Sequence, residues 1–154
     1  MSHGDGDSDS STEEPVKYKD YYDSGSLKKK YYKLAGRLHG KYNVYYEDGE
    51  PRIKGLYKRG RRDGLWRQYY PDGQLQLSVE YKASLKHGVL RQYYADGGLE
   101  IEANYEADKE HGTFRQYYAD GSLEIEAHYE HGTEVGTYCE WDETGKRITF
   151  ITHR

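Results

Sequence analysis

From Ser122 to Tyr129 large and polar side chains alternate one for one, with Leu123, Ile125, Ala127 and Tyr129 on one set of positions and Ser122, Glu124, Glu126 and His128 on the other. A period of two marks a strand with two unlike faces. Related runs follow Asp72-Gly73 and Asp96-Gly97, and each is preceded by a segment ending in an aromatic pair, Tyr69-Tyr70, Tyr93-Tyr94 or Tyr117-Tyr118. Asp-Gly between two such runs predicts a hairpin, because both central residues of a type I′ turn need positive φ. Each unit therefore reads as one β-hairpin.

The units are in phase. Glycines recur at Gly40, Gly64, Gly88, Gly112 and Gly136, and again at Gly49, Gly73, Gly97, Gly121 and Gly145, both series stepping by 24 residues. A fixed period of this length marks a repeat architecture in which each unit buries its apolar surface against its neighbours. Four full repeats start at Gly40, a degenerate one precedes them and a truncated one ends at Arg154. The expected fold is all-β, an elongated single antiparallel sheet of stacked β-hairpin repeats over 16–154, about five to six in number, after an acidic tail over 1–15.

Register follows from face matching, because a shift of one residue moves a strand's side chains to the other face. With Asp120-Gly121 alone as the loop, Tyr118 faces Leu123, Tyr117 faces Glu124, Gln116 faces Ile125, Arg115 faces Glu126 and Phe114 faces Ala127. A three-residue loop that includes Ala119 would set Arg115 against Ile125 and lose the charge pairing across the strands. The two-residue loop is favoured, and in the preceding repeat it pairs Arg91 with Glu102. It places Tyr46, Tyr70, Tyr94 and Tyr118 on the packed side. Tyr45, Tyr69, Tyr93, Tyr117 and Trp141 then form a row on the charged side beside Arg67, Arg91 and Arg115.

Composition changes the expected core. The chain has 11 Leu, 5 Ile, 5 Val and 2 Phe in 154 residues, an aliphatic content that alone would suggest disorder, but 19 Tyr and 2 Trp supply ring area with a polar tip. The core should be thin and aromatic. The lone Cys139 gives no intramolecular disulfide framework and is read as a bystander. Net charge is −5 over 1–15, +8 over 16–63 and −7 over 64–154. Residues 1–15 hold no large apolar side chain other than Met1, so they are expected to stay flexible. No apolar run is long enough for a membrane span and no secretory signal is legible, so the expected compartment is cytoplasmic.

The phrases QYYPDGQLQL, QYYADGGLEI and QYYADGSLEI, within the pattern Gly-x-aromatic-x-x-Tyr-Tyr-x-Asp-Gly-x-Leu, resemble the MORN repeat variant family, MORN standing for membrane occupation and recognition nexus. The resemblance spans residues 16 to 150. It implies single hairpins joined into an extended, twisted antiparallel sheet, and a role as a protein-interaction or sometimes lipid-associated module. Bacterial members are often labelled antitoxins, so an immunity-type role is one version of what it implies. After the turn this chain has Leu-x-Ile/Leu-x-x-x-Tyr where the standard unit has Tyr-x-Gly-x-Trp, which weakens the implication of lipid association.

Chemistry is sparse. His39, His87 and His111 recur one repeat apart, which on adjacent hairpins means about 9 to 10 Å, too far to share one zinc ion. His128 with His131 lacks a third ligand, so no metal and no cofactor is expected. Glu100 with Glu102, and Glu124 with Glu126, are read as exposed strand carboxylates, since catalytic carboxylates need burial or a cleft. Asp48, Asp72, Asp96 and Asp120 are read as turn residues. No phosphate loop or nucleophile motif is present, and the chain is expected not to be an enzyme.

The leading functional expectation is a non-catalytic scaffold that binds another protein through the Tyr/Arg face, with Tyr45, Tyr69, Tyr93, Tyr117, Trp141, Arg67, Arg91 and Arg115 as contact residues. Tyr and Arg supply rigid area and bidentate donors at interfaces. A rival is binding of acidic phospholipid or nucleic acid by Lys28, Lys29, Lys30, Lys58, Arg59, Arg61 and Arg62, with lipid headgroups preferred over nucleic acid. A third is a carbohydrate-binding aromatic module. The free strand edges at either end also allow self-association.

Overall fold

The computed structural model describes residues 13–154; most of the acidic segment 1–15 lies outside the described residues. Fifteen strands follow in chain order: β1 (Val16–Tyr21), β2 (Leu27–Leu34), β3 (Arg37–Leu38), β4 (Gly40–Tyr45), β5 (Pro51–Lys58), β6 (Arg61–Arg62), β7 (Gly64–Tyr69), β8 (Leu75–Lys82), β9 (Leu85–Tyr93), β10 (Leu99–Glu106), β11 (Lys109–Glu110), β12 (Gly112–Tyr117), β13 (Leu123–Glu130), β14 (Thr133–Trp141) and β15 (Arg147–Thr152). They form one open antiparallel sheet in which strands pair in chain order, the two-residue β3, β6 and β11 extending the pairing of β2, β5 and β10. Among the described residues, β1 and β15 each keep one unpaired edge.

Mid-strand register is as the face matching predicts, with Phe114 opposite Ala127, Arg115 opposite Glu126, Gln116 opposite Ile125 and Arg91 opposite Glu102. The turn is not. Tyr118 N–H donates to Ser122 O at 2.9 Å and Gly121 N–H donates to Tyr118 O at 2.9 Å, which closes a three-residue loop, Ala119-Asp120-Gly121. Gly121 has φ +86° while Asp120 stays in the right-handed half of the map, as in a type I turn followed by a glycine bulge. A bulge between Gln116 and Tyr117, with Glu124 as the extra residue, restores the predicted pairing farther along. Tyr117 therefore faces Leu123, not Glu124, and Tyr118 does not face Leu123. The leucine thus moves to the arginine side.

The type I′ turns sit between repeats instead. Ala35-Gly36, Arg59-Gly60, Ala83-Ser84, Ala107-Asp108 and His131-Gly132 all have positive φ at both residues. Ala83 (φ +50°) and Ser84 (φ +67°) occupy this turn without a glycine, and Ser84 Oγ accepts Arg62 N–H at 2.9 Å. Left-handed backbone is unfavourable for alanine and tolerated by asparagine. Ala83→Asn is expected to stabilise the chain by about 0.5–1 kcal/mol, read from urea denaturation midpoints. An unchanged or lowered midpoint would count against this account of the turn.

Neighbouring repeats add edge to edge rather than covering one another's faces, so burial is thin. Only Val44, Trp66, Val79, Ala103 and Ala127 are buried among the described residues. Val44, Trp66 and Val79 share a face with Tyr18, Tyr31, Tyr42, Tyr57 and Tyr81. There Tyr18 stacks on Tyr31 at 5.5 Å, Tyr42 lies 5.8 Å from Trp66, Tyr57 meets Trp66 edge-on at 5.2 Å, and Trp66 continues to Tyr81 at 6.2 Å between ring centroids. Such tilted and edge-on contacts suit ring quadrupoles and add to the area buried.

Repeats are also tied through hydroxyls. Tyr22, Tyr46, Tyr70, Tyr94 and Tyr118 each donate to the main-chain carbonyl of the aromatic residue 23 positions later, at 2.5–2.8 Å. The acceptors are Tyr45, Tyr69, Tyr93, Tyr117 and Trp141, so the second tyrosine of each pair fastens to the first aromatic of the next. Asp142 holds the equivalent position in the last repeat and instead accepts from Thr144 and Lys146 in its own turn.

Candidate functional site

Opposite the aromatic face, alternate residues of the same strands carry the polar face. Tyr45, Tyr69, Tyr93, Tyr117 and Trp141 are half-buried in a row there, two residues after Asn43, Arg67, Arg91, Arg115 and Cys139 on their strands. Cross-strand neighbours of the three arginines change along the array. Arg115 lies between Glu102 on β10 and Glu126 on β13, and its Nε donates to Glu126 Oε2 at 2.8 Å. This bond to Glu126 raises the Arg115 pKa still further above its usual value. Arg91 lies between Ser78 and Glu102 and donates to Glu102 Oε2 at 2.8 Å. Arg67 lies between Lys54 and Ser78, and among the described residues it forms no ion pair.

That gradient leaves a positive groove near the N-terminal end. An open cavity of about 580 Å³ is lined by Lys30, Lys41, Lys54 and Arg67 together with Tyr32, Tyr45, Leu56 and Leu65. None of its lining residues is acidic. Lys30, Asn43, Lys54 and Arg67 are consecutive cross-strand partners over four strands, so three cations lie on one line across the sheet. Like charges placed opposite each other repel, so this row is held at a cost that an anion would relieve.

The seven cations read as anionic-surface candidates are spread over different parts of the sheet. Strand alternation sends Lys29 to the aromatic face, 5.7 Å over Tyr42, while Lys30 lines the polar groove. Lys28 lies 5.4 Å over the Tyr22 ring. Arg62 stacks on Trp66 at 4.8 Å and on Tyr81 at 5.2 Å. Lys58, Arg59 and Arg61 remain together at the inter-repeat turns, where with Arg37, Asp63 and Lys82 they border a cavity of about 380 Å³.

Several residues have partners that reading the strand pattern did not supply. Glu100, Glu102, Glu124 and Glu126 are half-buried rather than exposed, and Glu100 and Glu124 accept from Gln92 and Gln116 Nε2, each at 2.9 Å. His39 Nδ1 accepts Arg59 N–H at 3.2 Å and His111 Nδ1 accepts His131 N–H at 3.4 Å, so these histidines link successive turns. Asp120 accepts from Ser122 Oγ and N–H, and those bonds lower its pKa. The groove cations Lys41 and Lys54, and the aromatic chain through Trp66, were not singled out by sequence. The signal was there in the 24-residue series Tyr18, Tyr42, Trp66, Leu90, Phe114, Tyr138.

Among the described residues no helix is long and apolar enough to cross a membrane. Comparison with curated proteins gives no match. Among solved structures the chain is similar to part of the crystal structure of a GtfA/B complex bound to UDP and GlcNAc, at 18% identity and a TM-score of 0.31. That likeness covers 74% of this chain but only 22% of the other, and at this TM-score it carries no argument. The family model for the MORN repeat variant matches residues 38–59, 62–83, 86–107 and 110–131, four tandem copies that fall on the hairpin units described above. The chain belongs to the MORN repeat variant family and is a repeat scaffold of β-hairpins.

Proposed function

We propose that this scaffold is non-catalytic and binds an acidic, extended segment of another protein on its polar face. The segment's carboxylates meet Lys30, Lys41, Lys54 and Arg67, and its apolar side chains lie along Tyr45, Tyr69, Tyr93 and Tyr117. The observation that carries this reading is the groove of four cations with no acidic neighbour in its lining, set among the half-buried Tyr32, Tyr45 and Leu65 and the exposed Leu56. Charge gives orientation and a fast encounter, and ring area gives affinity. Farther along, Glu102 and Glu126 already occupy Arg91 and Arg115, so the same face offers area there rather than free charge.

A labelled peptide of alternating glutamate and leucine tests this by fluorescence anisotropy. Binding is expected to weaken with added salt, and to fall at least about tenfold in the Lys54→Glu/Arg67→Glu variant, since each lost charge contact is worth about 1 kcal/mol or more. Equal affinity of the variant and the natural chain would refute the groove.

A second reading rests on the turn-side cavity bordered by Arg37, Lys58, Arg59 and Arg61, which suits a phosphate-bearing headgroup. Sedimentation with phosphatidylserine vesicles separates the two. Arg59→Glu/Arg61→Glu should abolish vesicle binding on this reading, whereas the groove variant should leave it intact.

A further inference from the structure

Adjacent inter-repeat turns hydrogen-bond to one another, and this brings together side chains that hold non-equivalent places in the repeat. At the junction of the Ala107-Asp108 and His131-Gly132 turns, Glu106, His111 and His131 place one ligand atom each within 4.8 Å of the others. His111 Nε2 lies 3.6 Å from Glu106 Oε2, and the His111 and His131 rings are 4.9 Å apart between centroids. The spacing argument that kept His39, His87 and His111 from sharing an ion holds for equivalent positions. It does not apply to His111 and His131, because the second sits in the turn that folds against the first.

We propose that Glu106, His111 and His131 bind a zinc-type divalent ion that clips these two turns together. Two imidazoles and one carboxylate are the donor set preferred by late first-row divalent ions, with remaining positions left to water. Ligand atoms around a tetrahedral zinc ion at about 2.0–2.2 Å stand about 3.4 Å apart, so the side chains must close by up to about 1.4 Å. Glu106 and His131 are exposed and free to do so. Coordination through His111 Nε2 moves the imidazole proton to Nδ1, and the 3.4 Å contact from His131 N–H is exchanged for the metal bond.

Among the described residues the set is confined to one junction. The same three places hold Leu34, His39 and Arg59 two junctions earlier than Lys82, His87 and Ala107, so each of those sites keeps the turn histidine but has lost both other ligands. A histidine needed only to accept a turn amide explains the recurring position. It does not explain why Glu and a second His join it at a single junction.

Zinc titration of the full chain by calorimetry, with thermal unfolding alongside, tests the proposal. His131→Asn is the informative variant, because His131 has φ +50° and the change makes its turn Asn-Gly, the favoured type I′ pair, so ligand loss is not confused with misfolding. One zinc per chain is expected, with affinity falling at least tenfold in His131→Asn and severalfold in Glu106→Gln, and unchanged in His87→Ala. Zinc should raise the melting temperature of the natural chain and not that of His131→Asn. Absence of stoichiometric binding, or equal binding by His131→Asn, overturns the site.

Discussion

Gly55→Val is expected to destabilise the chain by about 3 kcal/mol, which is large for a half-buried position on an open sheet. A Cβ built on Gly55 would lie 2.7 Å from Trp66 Cε3 and closer still to Cδ2 and Cε2. The indole cannot yield cheaply. Trp66 is buried, donates Nε1–H to Leu56 O at 3.1 Å, and sits within the rings of Tyr42, Tyr57 and Tyr81 under the Arg62 guanidinium. Expelling it forfeits much of what deleting a buried tryptophan costs, about 3–5 kcal/mol. One repeat later Val79 lies opposite Leu90, a pair of similar summed bulk. Gly55→Val combined with Trp66→Leu reproduces that pair, and the double variant should be more stable than Gly55→Val alone. Urea denaturation followed by circular dichroism measures the cycle, and additive losses would show that the two residues do not compete for one space.

Replacing Tyr46, Tyr70 and Tyr94 together by phenylalanine is expected to cost about 3 kcal/mol, near 1 kcal/mol for each hydroxyl bond lost to a half-buried carbonyl. The three bonds stand in different repeat junctions, so their losses should be close to additive. In a linear array they are interface terms, and weakening them should also broaden the unfolding transition. Among the described residues Tyr45, Tyr69 and Tyr93 make no hydroxyl bond of this kind, and their phenylalanine variants should fall within about 0.5 kcal/mol of the natural chain. A triple variant no weaker than this control would remove the hydroxyl ladder from the account of stability.

A partly different set of tyrosines sets an alkaline limit. Tyr94, Tyr105, Tyr129 and Tyr138 have pKa values raised by burial and then by neighbouring carboxylates such as Glu100, Glu110 and Glu134. A folded-state pKa above the unfolded value means that the native chain holds more protons above about pH 10, so stability falls as pH rises past that point. Below pH 10 this contribution is fully present. Denaturation midpoints should therefore hold from pH 7 to 9 and drop above 10, in step with phenolate absorbance.

Much of the hairpin was legible because it depends on local chemistry. Alternation of Leu123, Ile125 and Ala127 with Glu124 and Glu126 gives a strand whatever surrounds it, and matching charge to charge was enough to set Arg115 opposite Glu126 and Arg91 opposite Glu102. The turn failed the same logic. Asp-Gly fits both a two-residue and a three-residue loop, and the choice fell to main-chain groups of Tyr118 that can close the longer loop, with Glu124 absorbing the extra residue. Side-chain pattern cannot show a bulge, because the bulge leaves the pattern on either side intact.

The repeat, its period, the strand class and the mid-strand pairing are all written in the order of residues, since each follows from spacing within one unit. What lies between units depends on how the copies join. Only the pairing of β5 with β7 puts Lys54 beside Arg67 and opens an uncompensated groove, and only the contact between turns brings His131 to His111. The hydroxyl of Tyr118 finds a carbonyl 23 residues away for the same reason. Neighbours in a repeat array are set by how copies join, and that geometry depends on turns and bulges that spacing within one unit does not show.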